Sequence, residues 1–279
     1  MGPFFALLLF LTCGAAGAAD GFFTASDGVT LHYVEQGSGP LVAFVPGWTM
    51  GASIWQAQLD FFSARDHVAA LDPRCQGLSG KTAQGLTVER RAQDIAEWLD
   101  HLKAGPCVLV GWSMGGSEAL VYAAAHPGRL AGLVLVDAPP GMPPSRAQIV
   151  KREALLGRVG TERVKETNAF VRWMFQKPHP EEYYDAIVQQ ALKTPTDAAL
   201  ALLRDLYAVR GWKVDYAKIQ IPVLCFASES YYPQGLWLQK RIPGLRLQEM
   251  KGDGHALFAD DPKGFNPRLQ DFLSQIQSK

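Results

Sequence analysis

The stretch Gly111-Trp112-Ser113-Met114-Gly115 constrains this chain more than any other. It follows the apolar run Cys107-Val108-Leu109-Val110, which suits a buried strand. It precedes Ser117 to Ala125, a helix-like segment free of glycine and proline. A serine between strand and helix, with a glycine two positions to either side, fits a turn so sharp that only small flanking residues let the two backbones approach. The central residue is forced into strained geometry, and its hydroxyl is held out at the top of a sheet. A base placed elsewhere in the chain can reach it there.

The surrounding sequence supplies such a sheet. Leu41–Val45 and His67–Leu71 are short apolar runs ending at Pro46-Gly47 and Asp72-Pro73. Val88, Ile95, Leu99 and Leu102 recur at helical spacing behind Thr87, a candidate N-cap. Gly132–Val136 is the strand after the elbow helix and delivers Asp137 at its carboxyl end. Alternating apolar runs and helical patterns predict a mainly parallel sheet covered by helices on both faces. The rhythm breaks at Pro139-Pro140-Gly141 and Pro143-Pro144, and from about Ser145 to Gly211 the pattern is helical throughout. That stretch carries Phe170, Trp173, Phe175, Tyr183, Tyr184 and Tyr207, most expected in its own core and one or two in a pocket. Strand rhythm returns at Pro222–Ala227 and Leu245–Met250, and a closing helix is expected from about Pro262 to Ile276.

Composition excludes several classes. Lys+Arg and Asp+Glu are both 27, so a formal net charge of +0 gives no electrostatic reason to expect nucleic acid or an anionic membrane as partner. Short basic pairs, Lys151-Arg152 and Arg90-Arg91, read as solvated helix faces. There is no dinucleotide-binding glycine fingerprint, no phosphate-binding loop and no Cys/His spacing suited to a metal, so no cofactor and no metal are expected. Phe4 to Leu11 is an unbroken apolar run, too short to span a bilayer. Followed by small residues as far as Ala19, it fits a cleaved export signal over residues 1–19, and hence a secreted or periplasmic protein. No Lys or Arg precedes the run, which departs from the usual signal pattern. Cys13 raises a lipid anchor as an alternative, although Phe10-Leu11-Thr12 matches a lipidation box poorly. Removing Cys13 leaves Cys75, Cys107 and Cys225, an odd set that argues against a disulfide framework. Cys107 and Cys225 read as small buried hydrophobes, Cys75 as a free thiol in a loop.

Taken in order, Pro46-Gly47-Trp48, Asp72 to Ser79, Gly111 to Gly115, and Gly254-His255-Ala256-Leu257-Phe258 resemble the landmarks of the α/β-hydrolase fold family over roughly residues 22–277. The nearest likeness is to its serine esterase, lactonase and perhydrolase group. The resemblance implies a core of residues 20–139 and 213–279 with a helical lid, residues 140–212, inserted after the strand that follows the elbow. It implies Ser113 as nucleophile and His255, late in the chain between flexible and apolar residues, as its base. Of the other histidines, His32, His67 and His101 read as strand or helix surface residues. The backbone N–H groups of Met114 and Trp48 are the implied oxyanion donors, although Pro46 stands where many relatives carry histidine. The acid has two candidates. Asp137 lies at the end of the strand after the elbow. Glu229 lies past the penultimate strand, where many relatives have aspartate and this chain reads Ser228-Glu229-Ser230. Asp253 reads as a turn former.

Serine at the elbow favours acyl transfer to water, so the expected substrate is a small apolar ester or lactone. Acyl transfer to peroxide on the same site is a second reading. A non-catalytic ligand receptor on the same fold is a third. The oligomeric state is not readable from the sequence.

Overall fold

A computed structural model describes residues 17–208 and 212–277. The expected signal run Phe4–Leu11 and the candidate anchor Cys13 lie outside the described residues. Eight strands form one sheet: β1 (Ala19–Thr24), β2 (Thr30–Gln36), β3 (Leu41–Val45), β4 (His67–Asp72), β5 (Cys107–Trp112), β6 (Leu130–Val136), β7 (Val223–Ser228) and β8 (Arg246–Met250). Their spatial order is β1-β2-β4-β3-β5-β6-β7-β8. β2 pairs antiparallel with both β1 and β4, and every other pairing is parallel.

The apolar runs are continuous because both faces of the parallel strands are covered. On β3, Val42 and Phe44 join one buried cluster while Ala43 and Val45 join the other. β6 divides in the same way, Val134 and Val136 against Leu133 and Leu135. The first cluster is closed by α1 (Gln56–Phe62), α9 (Leu257–Asp260) and α10 (Pro262–Gln277). The second is closed by α2 (Val88–His101), α3 (Met114–Ala125) and α8 (Tyr232–Gln239). Thr87 caps α2, its hydroxyl accepting from the Arg90 amide at 3.1 Å.

The hairpin β1–β2 was not expected from the sequence. Its strands are only partly buried, so they carry no long apolar run. His32 on β2 is buried rather than on the surface, at 2% exposure, because its ring bridges Asp72 at 2.8 Å and Asp20 at 2.9 Å. Arg91 also departs from the solvated face expected of it. It lies at 1% exposure beneath the elbow helix, with Nε 3.0 Å from the Glu118 carboxylate. Cys75 is in a loop and unpaired, as expected, but is fully buried.

Between β6 and β7 the chain leaves the sheet and forms four helices: α4 (Arg146–Thr161), α5 (Arg163–Trp173), α6 (Glu181–Leu192) and α7 (Thr196–Leu206). A buried cluster joins them to the sheet's carboxyl edge, with Leu156, Val159, Leu202 and Leu203 packed on Trp48 and Met114. No helix among the described residues is long and apolar enough to cross a membrane.

Candidate active site

Strand register brings the chemistry to one edge. Trp112 on β5 is level with Val136 on β6, Val136 with Phe226 on β7, and Ser228 with Met250 on β8. Ser113, Asp137 and the loop carrying His255 therefore leave the sheet side by side at its carboxyl end. Ligands collect at this end of open α/β sheets.

Ser113 sits at φ 53° and ψ −122° between β5 and α3. Its amide donates to the Val136 carbonyl at 2.9 Å, and its carbonyl accepts from the Gly116 amide at 2.9 Å. The glycines are needed where they stand. A Cβ on Gly111 would lie 2.5 Å from the Gly115 oxygen, and one on Gly115 would lie 2.5 Å from the Pro46 oxygen. Gly47 is pressed against the elbow as well, since a Cβ there would come within 3.0 Å of the Ser113 Cβ. The loop bearing Trp48 thus abuts the serine from one side, while Met114 follows it at the head of α3.

Ser113 Oγ lies 2.9 Å from His255 Nε2, and His255 Nδ1 lies 3.1 Å from Asp137 Oδ2. All three side chains are buried. Asp137 has a positive φ of 44° and is held by β7: the Ser228 amide donates to Oδ1 at 2.7 Å and the Ser228 hydroxyl to Oδ2 at 2.6 Å. Glu229, the next residue, is exposed and not brought to His255. β7 ends at Ser228, and the chain turns at Glu229, which leaves its carboxylate in solvent.

The His255 loop is fixed by contacts that the sequence did not reveal. The Asp260 carboxylate accepts from the amides of Gly254 at 2.7 Å, Gln176 at 2.9 Å and Lys177 at 3.0 Å. It ties the loop to the chain leaving α5. The Ala256 amide donates to the Met174 carbonyl at 3.0 Å, and the Trp112 indole donates to the His255 carbonyl at 2.8 Å. Asp253 pairs with Lys177 at 2.8 Å. Tyr231 stacks on the imidazole with centroids 4.8 Å apart. Burial and the nearby Asp137 carboxylate hold its phenol well above the usual range, so it presents a neutral ring.

The loop facing the serine is clamped by Gln76. Its side-chain amide donates to the carbonyls of Gly47, at 3.0 Å, and of Met50, and its oxygen accepts from the Thr49 amide at 3.2 Å. Arg91 holds that same oxygen at 3.0 Å. The roles of Gln76 and Arg91 were not legible in the sequence, because Gln76 grips backbone atoms of another loop and the carboxylate facing Arg91, Glu118, lies far along the chain.

Ser113 and His255 open onto a cavity of about 1090 Å³. Trp48 lines it, together with Phe170, Trp173 and Tyr207 from the inserted helices. Phe175 and Tyr184 are instead buried in the core. Among the described residues no cluster of His, Cys, Asp and Glu is arranged to hold a metal ion.

The model of the alpha/beta hydrolase family matches residues 42–268. A non-heme haloperoxidase of Rhodococcus erythropolis is 39% identical over 121 residues, 43% of this chain and 44% of that protein. The chloroperoxidase CPO-A1 of Kitasatospora aureofaciens is 28% identical over 275 residues, 90% of this chain and 98% of the relative. An esterase structure from Exiguobacterium antarcticum superposes with a TM-score of 0.83 at 22% identity, covering 91% of this chain and 98% of that one. At that identity the likeness carries the fold alone.

Proposed function

The chain belongs to the alpha/beta hydrolase family, and from that premise we propose that it is a serine hydrolase cleaving carboxylic esters or lactones through an acyl-serine. The observation that carries this reading is the continuous path from Ser113 Oγ to His255 Nε2 at 2.9 Å and from His255 Nδ1 to Asp137 at 3.1 Å.

A neutral serine hydroxyl is a weak nucleophile. As Oγ attacks the ester carbonyl, His255 Nε2 takes its proton. Asp137, accepting from Nδ1–H, fixes the tautomer and stabilises the imidazolium. The negative oxygen of the tetrahedral intermediate is assigned to the amides of Trp48 and Met114. His255 then gives its proton to the departing alcohol. Water attacks the acyl-serine by the reverse route, releasing the acid. Residues 140–212 act as a lid over this centre, on a core of residues 20–139 and 213–279. The haloperoxidase relatives favour a second use of the same acyl-serine. Hydrogen peroxide replaces water as acceptor and a peracid leaves.

A fluorophosphonate should label the protein once, at Ser113, and Ser113→Ala should abolish both labelling and ester turnover. Turnover surviving in that variant would remove the acyl-serine. Comparing hydrolysis with perhydrolysis by the same preparation separates the two acceptors.

Export is part of the proposal. The apolar run Phe4–Leu11 and the small residues after it support cleavage near Ala19, which would leave Asp20–Thr24 as the edge strand. N-terminal sequencing from the native host should begin near Asp20. A soluble cytoplasmic protein retaining Met1 would contradict it.

A further inference from the structure

Ester hydrolysis alone leaves the guanidinium of Arg152, on the cavity wall, without a role. It projects from α4 into the cavity that holds Ser113 and His255. Its carbon lies 4.6 Å from the centre of the Tyr207 ring. No carboxylate among the described residues pairs with it. Three other arginines of the inserted helices are engaged. Arg158 pairs with Glu166 at 3.0 Å. Arg172 pairs with Glu181 at 2.5 Å. Arg163 donates to Thr167 Oγ1 at 2.7 Å and to the Ala191 carbonyl at 3.2 Å. Arg152 alone among these four keeps its hydrogen-bonding fork free.

The cavity is correspondingly positive. Arg152 and Lys213 line it, and the one carboxylate among its described lining residues, Glu166, already faces Arg158. The chain as a whole has a formal net charge of +0, so this excess is local to the cavity. Arg152 also lies close to the chemistry. Its charge acts on the phenols of both Tyr207 and Tyr231, opposing the effect of their burial, and Tyr231 stacks on His255. Leu155, Phe170 and Trp173 supply apolar wall in the same cavity. Charges between low-dielectric walls are poorly screened and attract counter-charges strongly. A planar guanidinium with open donors matches a carboxylate, which it can grip through two parallel hydrogen bonds.

We propose that the substrate is an ester carrying a carboxylate at the end remote from the scissile bond, held by Arg152 while the ester carbonyl meets Ser113. The methylene chain between the two ends lies along the apolar wall. This inference rests on the hydrolase reading of Ser113 and adds a substrate class to it.

The test compares monomethyl esters of dicarboxylic acids, from succinate to suberate, with methyl esters of monocarboxylic acids of the same length. The wild type should show a higher kcat/KM for a half-ester of one preferred length, and added salt should erode the preference. In Arg152→Gln the ratio of half-ester to neutral-ester kcat/KM should fall about 10- to 100-fold. Arg152→Lys should recover part of it, and circular dichroism should confirm that both variants fold. A ratio unchanged by Arg152→Gln overturns the inference, as does a wild type that prefers neutral esters at every length. Both results leave the hydrolase reading intact. Absence of turnover on both series, with Ser113 unlabelled by fluorophosphonate, removes that reading and the inference with it.

Discussion

Ser113 and Asp137 share an uncommon property: both are non-glycine residues at positive φ, 53° and 44°. Such conformations cost on the order of 1–3 kcal/mol each and persist where the surroundings over-determine them. Here hydrogen bonds supply that determination. The Val136 carbonyl holds the Ser113 amide, the Phe226 carbonyl holds the Asp137 amide at 3.0 Å, and Ser228 grips both oxygens of the Asp137 carboxylate. The Asp137 carboxylate is thereby aimed at His255. Asp137→Asn should keep the fold but lower kcat by about 10³- to 10⁴-fold, because an amide cannot select the tautomer that leaves Nε2 free to accept. Glu229→Gln changes an exposed side chain and should cost far less. Steady-state kinetics on both variants, with circular dichroism to check folding, decide between them: a collapse in Glu229→Gln with near-normal Asp137→Asn would move the role to Glu229.

Among the elements, α5 has the closest bearing on the site. Its inner side supplies Phe170, whose ring meets Trp48 edge-on with centroids 5.3 Å apart. Its last residue, Trp173, stands 5.1 Å from the His255 ring, centroid to centroid, while remaining 49% exposed. The chain leaving α5 then ties back to the His255 loop through Asp260. One element thus borders the cavity and steadies the base. Trp173 lines the cavity without being packed in a core, so its truncation leaves no internal void. Trp173→Ala should therefore shift the acyl-length profile while Tm moves little, in contrast to the loss of about 3–5 kcal/mol typical of a buried tryptophan. Melting curves and rates on esters of graded length, measured on one preparation, test this. A large fall in Tm with an unmoved profile would make Trp173 scaffold.

At the scale of the whole molecule, the antiparallel edge is locked to the parallel sheet through one buried pair. Asp72, at the end of β4, accepts from His32 at 2.8 Å and from the amides of Ala52 at 2.6 Å and Leu78 at 2.7 Å. Burial by itself would lower the His32 value, but hydrogen bonds and charge from Asp72 and Asp20 outweigh it and raise the value above 6.5. Burial would likewise raise Asp72, but His32 and the two amides hold it below 3.8. Stability from protonated His32 is fully present below 6.5 and lost as pH rises through its raised folded value. Stability from ionised Asp72 is present above 3.8 and lost as pH falls through its lowered folded value. The pair therefore stabilises most between those limits. The gap in Tm between wild type and His32→Gln should be widest between the two limits and narrow as pH rises through the raised His32 value. A gap independent of pH would show that the pair contributes through packing alone.

The sequence by itself determined what depends on near neighbours. Continuous apolar runs located β3 to β7, alternation over Leu245–Met250 located β8, helical spacing behind Thr87 located α2, and two glycines around Ser113 fixed a turn that few other residue types could make. Chain order made His255 the partner of that serine, because the fold delivers its last strand to the same edge. Tertiary structure decided whatever depends on residues distant in the chain. Asp137 and Glu229 were both carboxylates beyond a strand end. Only the register of β6 against β7 brings one to the imidazole and leaves the other exposed. His32 and Arg91 looked like surface residues because the carboxylates that compensate their burial, Asp72 and Glu118, lie 40 and 27 positions away. Gln76 and Asp260 carried no pattern at all, since each grips backbone amides or carbonyls of a remote loop, and any residue type can supply those. The aromatics between Ser145 and Gly211 carried nothing in the sequence to separate pocket from core, and packing alone divided Trp173, on the cavity wall, from Phe175 and Tyr184 in the core. Local propensity and periodicity are written in adjacent residues, whereas a site is assembled from distances that exist only once the chain has closed on itself.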